Sequence, residues 1–353
     1  MGRPCCAAAY NLHSYDRETG ARSVYRWVKG DPPSTILSTA RESFVDIDSV
    51  GGDEYIGAIR LDGVGPLETP GSRLVIARVD RRGNVIWRSP SPGHPIKTAF
   101  RNYSIDSSRV YTWEATGSGS TGINVTAYDF DGNQEWQRTD LSFATFPNGN
   151  GLFVSADGSN VYLQYTDYTA YVASLVAPIH KLTAADGSDS MTITPATSFS
   201  TLVAVIGGNI VMSGSSMSGF SIIDSTGAET AEIHSPGPGY KWGETNGNIW
   251  NGSGSNSGPK TLAIINSSLS LVVSFSTGTL KVEAVDAVSG DGIYLTGRDP
   301  VAGGAQVRKY DWSGSLVWAT DTFPAPFTTV FPRGIVATDD DDRVWVSSEV
   351  TSR

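Results

Sequence analysis

Apolar and polar residues alternate along most of this chain, in short runs that break at turns. The run VRKYDWSGSLVWATD, from Val307 to Asp321, alternates on both sides of Ser313-Gly314. Such period-two runs predict β-strands with one buried face. The Asp-x-x-Gly spacing predicts the turn between them, because Asp bonds the backbone two residues on and Gly accepts a positive φ. The pattern therefore predicts a chain of β-hairpins.

This strand-turn-strand phrase recurs along the whole sequence. Two further strong copies are IARVDRRGNVIWRSP (76–90) and VTAYDFDGNQEWQRTD (125–140). In all three strong copies a tryptophan follows the Asp by seven residues, and these are Trp87, Trp136 and Trp318. With four weaker copies added, the anchors of the phrase stand at positions 16, 80, 129, 183, 224, 266 and 311, and successive anchors are 41 to 64 residues apart. That period is typical of a four-stranded repeat, and we expect the tryptophans to pack between neighbouring repeats.

A second phrase precedes most copies, as in SIDSSRVY (104–111), SADGSNVY (155–162) and TDDDDRVW (338–345). Each predicts another turn leading into a strand, so each repeat is a four-stranded antiparallel meander, the blade of a β-propeller. The last phrase supplies half a blade, and NLHSYDRETGARSVYRW (11–27) supplies the other half. We therefore predict an all-β, seven-bladed propeller as one domain over 1–353, closed by a blade from about 1–30 and 333–353.

The hairpins YDFDGNQEW, VDRRGNVIW and YDWSGSLVW resemble the outer hairpins of quinoprotein-like propellers, which in turn resemble WD-repeat propellers. The resemblance implies the fold over nearly the whole chain and says little about activity, because propellers host enzymes, binding modules and scaffolds. Quinoprotein dehydrogenases bind pyrroloquinoline quinone, and some carry adjacent cysteines near it, as Cys5-Cys6 stand here. Those enzymes are typically larger, eight-bladed and exported, so we expect no cofactor.

Cys5 and Cys6 are the only cysteines, so the sequence holds no disulfide framework. Two thiolates fill half of a tetrahedral zinc shell, which favours partly buried thiols over a metal site or cross-link shared between copies. SADGSNVY and TDDDDRVW also resemble the Asp-box turns of sialidases, where the box is a structural turn. Asp339 to Asp342 offer oxygen ligands for calcium, but consecutive carboxylates on a strand alternate in direction, which favours a solvated turn. We expect no metal site.

The charge balance limits the partners. The formal net charge is -10, and such a surface repels phosphate backbones, so we expect no nucleic acid partner. No apolar run approaches the roughly 20 residues that span a bilayer, so we expect no membrane insertion. The N-terminal stretch MGRPCCAAAYNLHS has too short an apolar core for a signal peptide. We expect the protein in a virion or in the cytoplasm.

No nucleophile–base arrangement is evident, and the four histidines, His13, His94, His180 and His234, are scattered over different repeats. The leading interpretation is a non-enzymatic, structural or binding component of a larger assembly, such as a tail, fibre or capsid-associated protein of a bacteriophage virion. Its partners would be proteins in that assembly, or a surface glycan. One alternative is a carbohydrate-active or quinone-dependent propeller enzyme. Another is a cytoplasmic protein-interaction propeller.

The connections between strands are predicted to fall into two sets at opposite ends of the blades. The Asp-Gly and SADG-type turns are short and repetitive, whereas the remaining connections, such as HSPGPGYKWGE and DTFPAPFTTVFPRG, are long and varied. Binding residues tend to lie on such loops over a rigid scaffold. We therefore predict a partner- or ligand-binding face that includes His94, His234, Tyr240, Trp242, Phe327 and Arg333.

Overall fold

The computed structural model describes strands and tight turns along most of the chain. The described ranges are 12–23, 41–51, 54–64, 71–80, 85–89, 94–95, 103–116, 122–142, 151–166, 178–195, 201–213, 219–234, 239–253, 260–299, 304–320, 330–337 and 343–350. None of these residues is helical, so these ranges hold no helix that could span a membrane. The all-β prediction is confirmed.

The strands are numbered in chain order. The first nine are β1 (Leu12–Asp16), β2 (Arg22–Ser23), β3 (Arg41–Gly51), β4 (Glu54–Val64), β5 (Gly71–Asp80), β6 (Val85–Arg88), β7 (His94–Pro95), β8 (Tyr103–Ile105) and β9 (Arg109–Thr116). The next ten are β10 (Gly122–Asp129), β11 (Gln134–Ser142), β12 (Gly151–Ala156), β13 (Asn160–Thr166), β14 (Ile179–Thr183), β15 (Asp189–Ile193), β16 (Thr201–Ile206), β17 (Asn209–Ser213), β18 (Gly219–Ile223) and β19 (Glu229–His234). The last ten are β20 (Gly239–Thr245), β21 (Asn248–Ser253), β22 (Lys260–Ile265), β23 (Leu271–Gly278), β24 (Lys281–Val288), β25 (Gly292–Asp299), β26 (Gly304–Tyr310), β27 (Leu316–Ala319), β28 (Val330–Ala337) and β29 (Arg343–Val350).

The chain divides into two compact units, each built from antiparallel meanders. The first unit, residues 1–93 and 279–353, contains the sheets β2-β1-β29-β28 and β24-β25-β26-β27, and a sheet whose main path is β3-β4-β5-β6. The second unit, residues 94–278, contains the sheets β11-β10-β9-β8, β12-β13-β14-β15, β16-β17-β18-β19 and β20-β21-β22-β23. The predicted four-stranded antiparallel repeat is therefore present in both units.

The prediction of seven four-stranded blades needs correction, because the described residues form six such blades. Six sheets formed by the described residues have four strands, and the sheet that contains β3 to β6 has five. The sequence phrases report pairs of strands that flank a turn. A short strand that has no such turn leaves no phrase, and this is why the pattern predicted four strands everywhere.

The two ends of the described chain lie in one sheet. Strand β1 pairs antiparallel with β29, and the register runs from Leu12 opposite Ser347 to Asp16 opposite Arg343. Strand β29 also pairs with β28, so β29 is flanked on both sides. Tyr15 of β1 is 3% exposed and Trp345 of β29 is 1% exposed. The pairing of the ends is thus accompanied by burial of large aromatic side chains.

The Asp-Gly turns form as local chemistry dictates. The Asp311 carboxylate accepts hydrogen bonds from the backbone N–H groups of Ser313 (2.8 Å) and Ser315 (2.9 Å). Gly314 follows with a φ of 84°, a conformation that costs glycine little. Asn266 accepts from Ser268 and Ser270 in the same way, both at 3.0 Å. The predicted turn therefore forms also where Asn replaces Asp.

Candidate functional site

Five of the six residues predicted for the binding face lie on strands. His94 is in β7, His234 ends β19, Tyr240 and Trp242 are in β20, and Arg333 is in β28. Phe327 lies outside the described residues, as do Cys5, Cys6 and Asp339 to Asp342. His234, Tyr240 and Trp242 flank one connection, residues 235–238, whereas Arg333 belongs to the other unit.

Tyr240 and Arg333 both stand at β-bulges in the first strand of their sheets. The register of β20 against β21 shifts between Gly239 and Lys241, and the register of β28 against β29 shifts between Pro332 and Gly334. A bulge inserts one extra residue, and bulges are over-represented at sheet edges and next to active sites. The first strands β3, β16 and β24 carry the same kind of shift, so the bulge is a feature of the repeat and does not single out these two residues.

Within each sheet, the two kinds of connection lie at opposite ends, because consecutive strands are antiparallel. In the sheet β20-β21-β22-β23, the turns at Asn246-Gly247 and at 266–270 share one end. The start of β20 and the connection 254–259 share the other end. Tyr240 lies near the end with the long connections, and Trp242 is the central residue of β20.

Two of the three repeat tryptophans, Trp136 and Trp318, dock on the next sheet, as predicted. The Trp136 indole Nε1 donates to the carbonyl oxygen of Ala184 at 2.8 Å, between two sheets of the second unit. Gly187 has a φ of 69°, and a Cβ there would stand 2.6 Å from the indole. The ring of Tyr111 packs against Trp136 with centroids 5.9 Å apart. The indole is therefore held by a hydrogen bond, a glycine and a second aromatic ring.

Trp318 repeats this arrangement in the first unit. Its Nε1 donates to the carbonyl oxygen of Arg17 at 2.9 Å, and Tyr294 packs against it with centroids 6.2 Å apart. A Cβ on Gly20, where φ is 70°, would stand 2.8 Å from the indole. Trp318 belongs to β27 and Arg17 follows β1. The indole therefore joins the sheet β24-β25-β26-β27 to the sheet β2-β1-β29-β28, which contains both ends of the described chain.

A partly buried ionic cluster surrounds the same junction. The Arg17 Nη2 lies 2.7 Å from Asp291 Oδ2, and the Lys309 Nζ lies 2.7 Å from Asp291 Oδ1. The Tyr294 hydroxyl donates to Asp291, and Arg17 Nε donates to the Tyr294 hydroxyl at 3.3 Å. Lys309 also donates to the Arg17 carbonyl at 3.3 Å. One carboxylate thus accepts hydrogen bonds from three side chains.

The electrostatics of this cluster favour a clamp over acid–base chemistry. Burial by itself would raise the pKa of Asp291, but hydrogen bonds from Lys309, Tyr294 and Arg17 outweigh it and bring the pKa below its usual value. Burial and the bond to Asp291 raise the pKa of Tyr294. Burial alone would lower the pKa of Lys309, but its bond to Asp291 brings it above the usual value. A general acid or base works best with a pKa near the operating pH, and these shifts lead away from neutrality.

Two other turns use a similar Asp–Tyr contact. The Tyr111 hydroxyl donates to Asp106 at 2.5 Å, and the Tyr162 hydroxyl donates to Asp157 at 3.1 Å. The other oxygen of Asp157 accepts from the backbone N–H groups of Ser159 and Asn160 at 2.9 and 2.7 Å. The carboxylates of these turns are therefore engaged in holding the fold.

Sequence reasoning missed the Arg17–Asp291–Tyr294–Lys309 cluster. The signal in the sequence is the Asp and Tyr shared by SIDSSRVY and SADGSNVY, whose pattern predicts only turns, and by SGDGIY (289–294), which contains Asp291 and Tyr294. His13 lies in β1 and His180 lies in β14. Within the described ranges, no group of three His, Cys, Asp or Glu side chains is placed to hold a metal ion.

Comparison with known proteins places the fold. No protein-family model matches the sequence, and no curated protein matches it. The structure is similar to the C-terminal WD40 domain of Sif2, at 8% identity over 97% of this chain and 93% of that chain, with a TM-score of 0.53. It is also similar to the Dos1 propeller, at 9% identity over 88% of this chain and 93% of that chain, with a TM-score of 0.53. BamB from Moraxella catarrhalis matches at 12% identity over 92% of this chain and 100% of that chain, with a TM-score of 0.45. At such identities the likeness concerns the fold alone. The chain is a β-propeller, and the expected family-level likeness to propellers is confirmed.

Proposed function

We propose that this chain is a structural or binding component of a larger assembly, and that it contacts its partner through the end of the sheets that carries the long connections. The supporting observation is the chemical division between the two ends. At the tight-turn end, the carboxylates of Asp106, Asp157 and Asp311 are occupied by their own backbone or by neighbouring side chains. His234 and Tyr240 lie toward the other end of their strands, and Trp242 and Arg333 lie in the middle of β20 and β28.

We further propose that 1–353 is one domain whose ring of blades is closed by the sheet β2-β1-β29-β28. Pairing of β1 with β29 supports closure, because it covers strand edges that the separate ends would expose. A closed ring is a rigid support on which connecting loops can vary without loss of the core. This rigidity suits a component that presents one face to a partner.

The assembly that we propose is a bacteriophage virion, with the chain in its tail, its fibre or its capsid-associated shell. The partner is another protein of the particle, or a surface glycan bound by the same face. Mass spectrometry of purified particles tests this proposal. A constant number of copies per particle supports it, and absence from particles under conditions in which the chain is expressed contradicts it.

Alanine variants at Tyr240, Trp242 and Arg333 test the binding face. Aromatic and arginine side chains dominate interface energetics, and removal of one such anchor weakens binding by about 2 kcal/mol or more. Glu18→Ala and Ser225→Ala are the controls, because both residues are exposed in the tight turns. We expect weaker incorporation or partner binding for the first set with an unchanged melting temperature. Loss of binding confined to the control variants would contradict the assignment.

A further inference from the structure

Asn246 and Gly247 form the two-residue turn between β20 and β21, and Thr245 pairs with Asn248 across it. The φ angles of Asn246 and Gly247 are 45° and 73°. Two positive φ angles are typical of a type I′ hairpin turn, in which Asn-Gly is a preferred pair. Turn geometry therefore accounts for this dipeptide, and the same dipeptide has a reactive chemistry of its own.

An Asn-Gly pair rearranges without an enzyme. The backbone nitrogen of the glycine attacks Cγ of the asparagine, a new C–N bond closes a five-membered succinimide, and the Cγ–Nδ2 bond breaks. The side-chain nitrogen leaves as ammonia and takes the proton of the attacking N–H group. Water then opens the succinimide at either carbonyl carbon, which gives aspartate or isoaspartate. Glycine favours the attack because it has no Cβ to hinder the approach of the two groups.

The surroundings of Gly247 leave room for this attack. Asn246, Gly247 and Glu244 are exposed, and a Cβ on Gly247 would meet nothing within 4 Å. The Gly247 N–H group donates to the Glu244 carboxylate at 3.0 Å. A bond to an exposed side chain is readily exchanged for water, so it opens at a low cost in free energy. The attacking nitrogen is therefore accessible in the folded chain.

A second Asn-Gly pair of the same sheet lies in the opposite environment. Asn251 and Gly252 lie in β21, and each is paired on one side with β20 and on the other side with β22. Asn251 is 4% exposed. Attack at this pair requires β21 to leave the sheet, and opening of a central strand costs more free energy than opening of an exposed turn. The fold thus separates two pairs that are identical in sequence.

We propose that Asn246 is a site of spontaneous modification, at which the folded chain converts asparagine to aspartate and isoaspartate while Asn251 keeps its amide. Both products add a negative charge two residues from Glu244, and like charges at such a distance repel each other. Isoaspartate also inserts one methylene group into the main chain of a turn whose length fixes the register of β20 against β21. Modification therefore weakens the pairing of the strand that carries Tyr240 and Trp242. The chemistry of the site is independent of the proposed binding face.

Incubation of the folded chain in a mildly alkaline buffer tests the proposal. Peptide mass spectrometry follows the conversion of amide to acid at each position, and methylation by protein L-isoaspartate methyltransferase identifies isoaspartate. We expect conversion at Asn246 to be at least about tenfold faster than at Asn251, since a factor of ten needs only a small difference in opening free energy. In the urea-unfolded chain, both pairs should convert at similar rates, because the fold no longer separates them.

Asn246→Gly is the matched variant. The chain itself uses Gly207-Gly208 as a two-residue turn, with φ angles of 57° and 80°, so the substitution suits the turn and removes the reacting amide. The variant should have a wild-type melting temperature and form no isoaspartate in the turn 246–247. Two further Asn-Gly pairs, 148–149 and 150–151, begin outside the described residues, and peptide mapping keeps their signals apart.

Each outcome decides the proposal. Faster conversion at Asn246 than at Asn251 in the folded chain, with similar rates after unfolding, supports it. An Asn246 amide that persists in the folded chain, while the unfolded chain loses it, overturns the proposal. Equal rates at the two positions in the folded chain also overturn it, because the fold then selects neither pair.

Discussion

At the scale of single residues, the fold depends on a few groups whose positions the turns determine. Gly187 and Gly20 each lie under a tryptophan from the preceding sheet, and both turns are one residue longer than the Asp-x-x-Gly turns. The longer spacing makes these two turns look like weak copies of the Asp-x-x-Gly phrase in the sequence. In the structure, the longer turns are the ones on which an indole docks. In the turn 266–270, Leu269 occupies the position that glycine has in the other turns, and its φ is 63°.

The glycine under Trp136 gives a residue-scale prediction. Gly187→Ala combines a left-handed backbone, which costs a non-glycine residue about 1–2 kcal/mol, with a Cβ 2.6 Å from the indole. Gly158→Ala is the control, because its φ is 82° and a Cβ there would meet nothing within 4 Å. In urea denaturation, Gly187→Ala should lose roughly 1–3 kcal/mol more than Gly158→Ala. Equal losses would show that the indole does not press on this glycine.

At the scale of elements, the cluster around Asp291 joins two sheets of the first unit. Arg17 comes from the turn after β1, Lys309 from β26 and Asp291 from the turn before β25. Asp291 has a folded-state pKa below its unfolded value, so its stabilising contribution is present above about pH 4. The contribution is lost as the pH falls through the folded-state pKa.

Asp291→Asn tests this contribution. At neutral pH we expect the variant to lose about 2 kcal/mol, because hydrogen bonds to a charged group are replaced by weaker ones. The difference from wild type should shrink as the pH falls below about 4, where the carboxylate of the unfolded chain becomes protonated, and should vanish below the lowered folded-state pKa. Chemical denaturation at several pH values measures it. Arg17→Gln and the double variant Arg17→Gln, Asp291→Asn complete a double-mutant cycle. Because the two residues share a contact, we expect the double variant to lose less stability than the sum of the two single losses. A pH-independent difference, or strictly additive losses, would contradict the clamp.

The elements also show how far sequence alone could lead. Turns such as 311–315 were predictable, because an Asp or Asn bonding its own backbone and a glycine at positive φ are local features. The pairing of Arg17 with Asp291 joins residues 274 positions apart and required the fold. The candidate face stays a prediction, since connections such as 321–329 carry no repeating pattern and lie outside the described residues.

At the scale of the whole molecule, the proposed closed ring depends first on the two ends of the chain sharing one sheet. Strands near both ends contribute to one core, because Tyr15, Val344 and Val346 belong to the cluster that includes Trp318. The proposed binding face then rests on a ring without open edges at its closure. If the ends do not pair, neither the single domain nor the rigid face follows.

Cross-linking of the two ends tests this pairing most directly. In a background with Cys5→Ser and Cys6→Ser, the pair Leu12→Cys and Ser347→Cys places one thiol in β1 and one in β29, at residues that are partners in the register. Directly opposite residues in an antiparallel pair have Cα atoms about 4.5–5.5 Å apart, within reach of a short bis-maleimide. Peptide mass spectrometry of the folded monomer should show a link between residues 12 and 347, and each single-cysteine variant should show none. Full labelling of both thiols without a link, or links between different chains only, would contradict closure by the shared sheet.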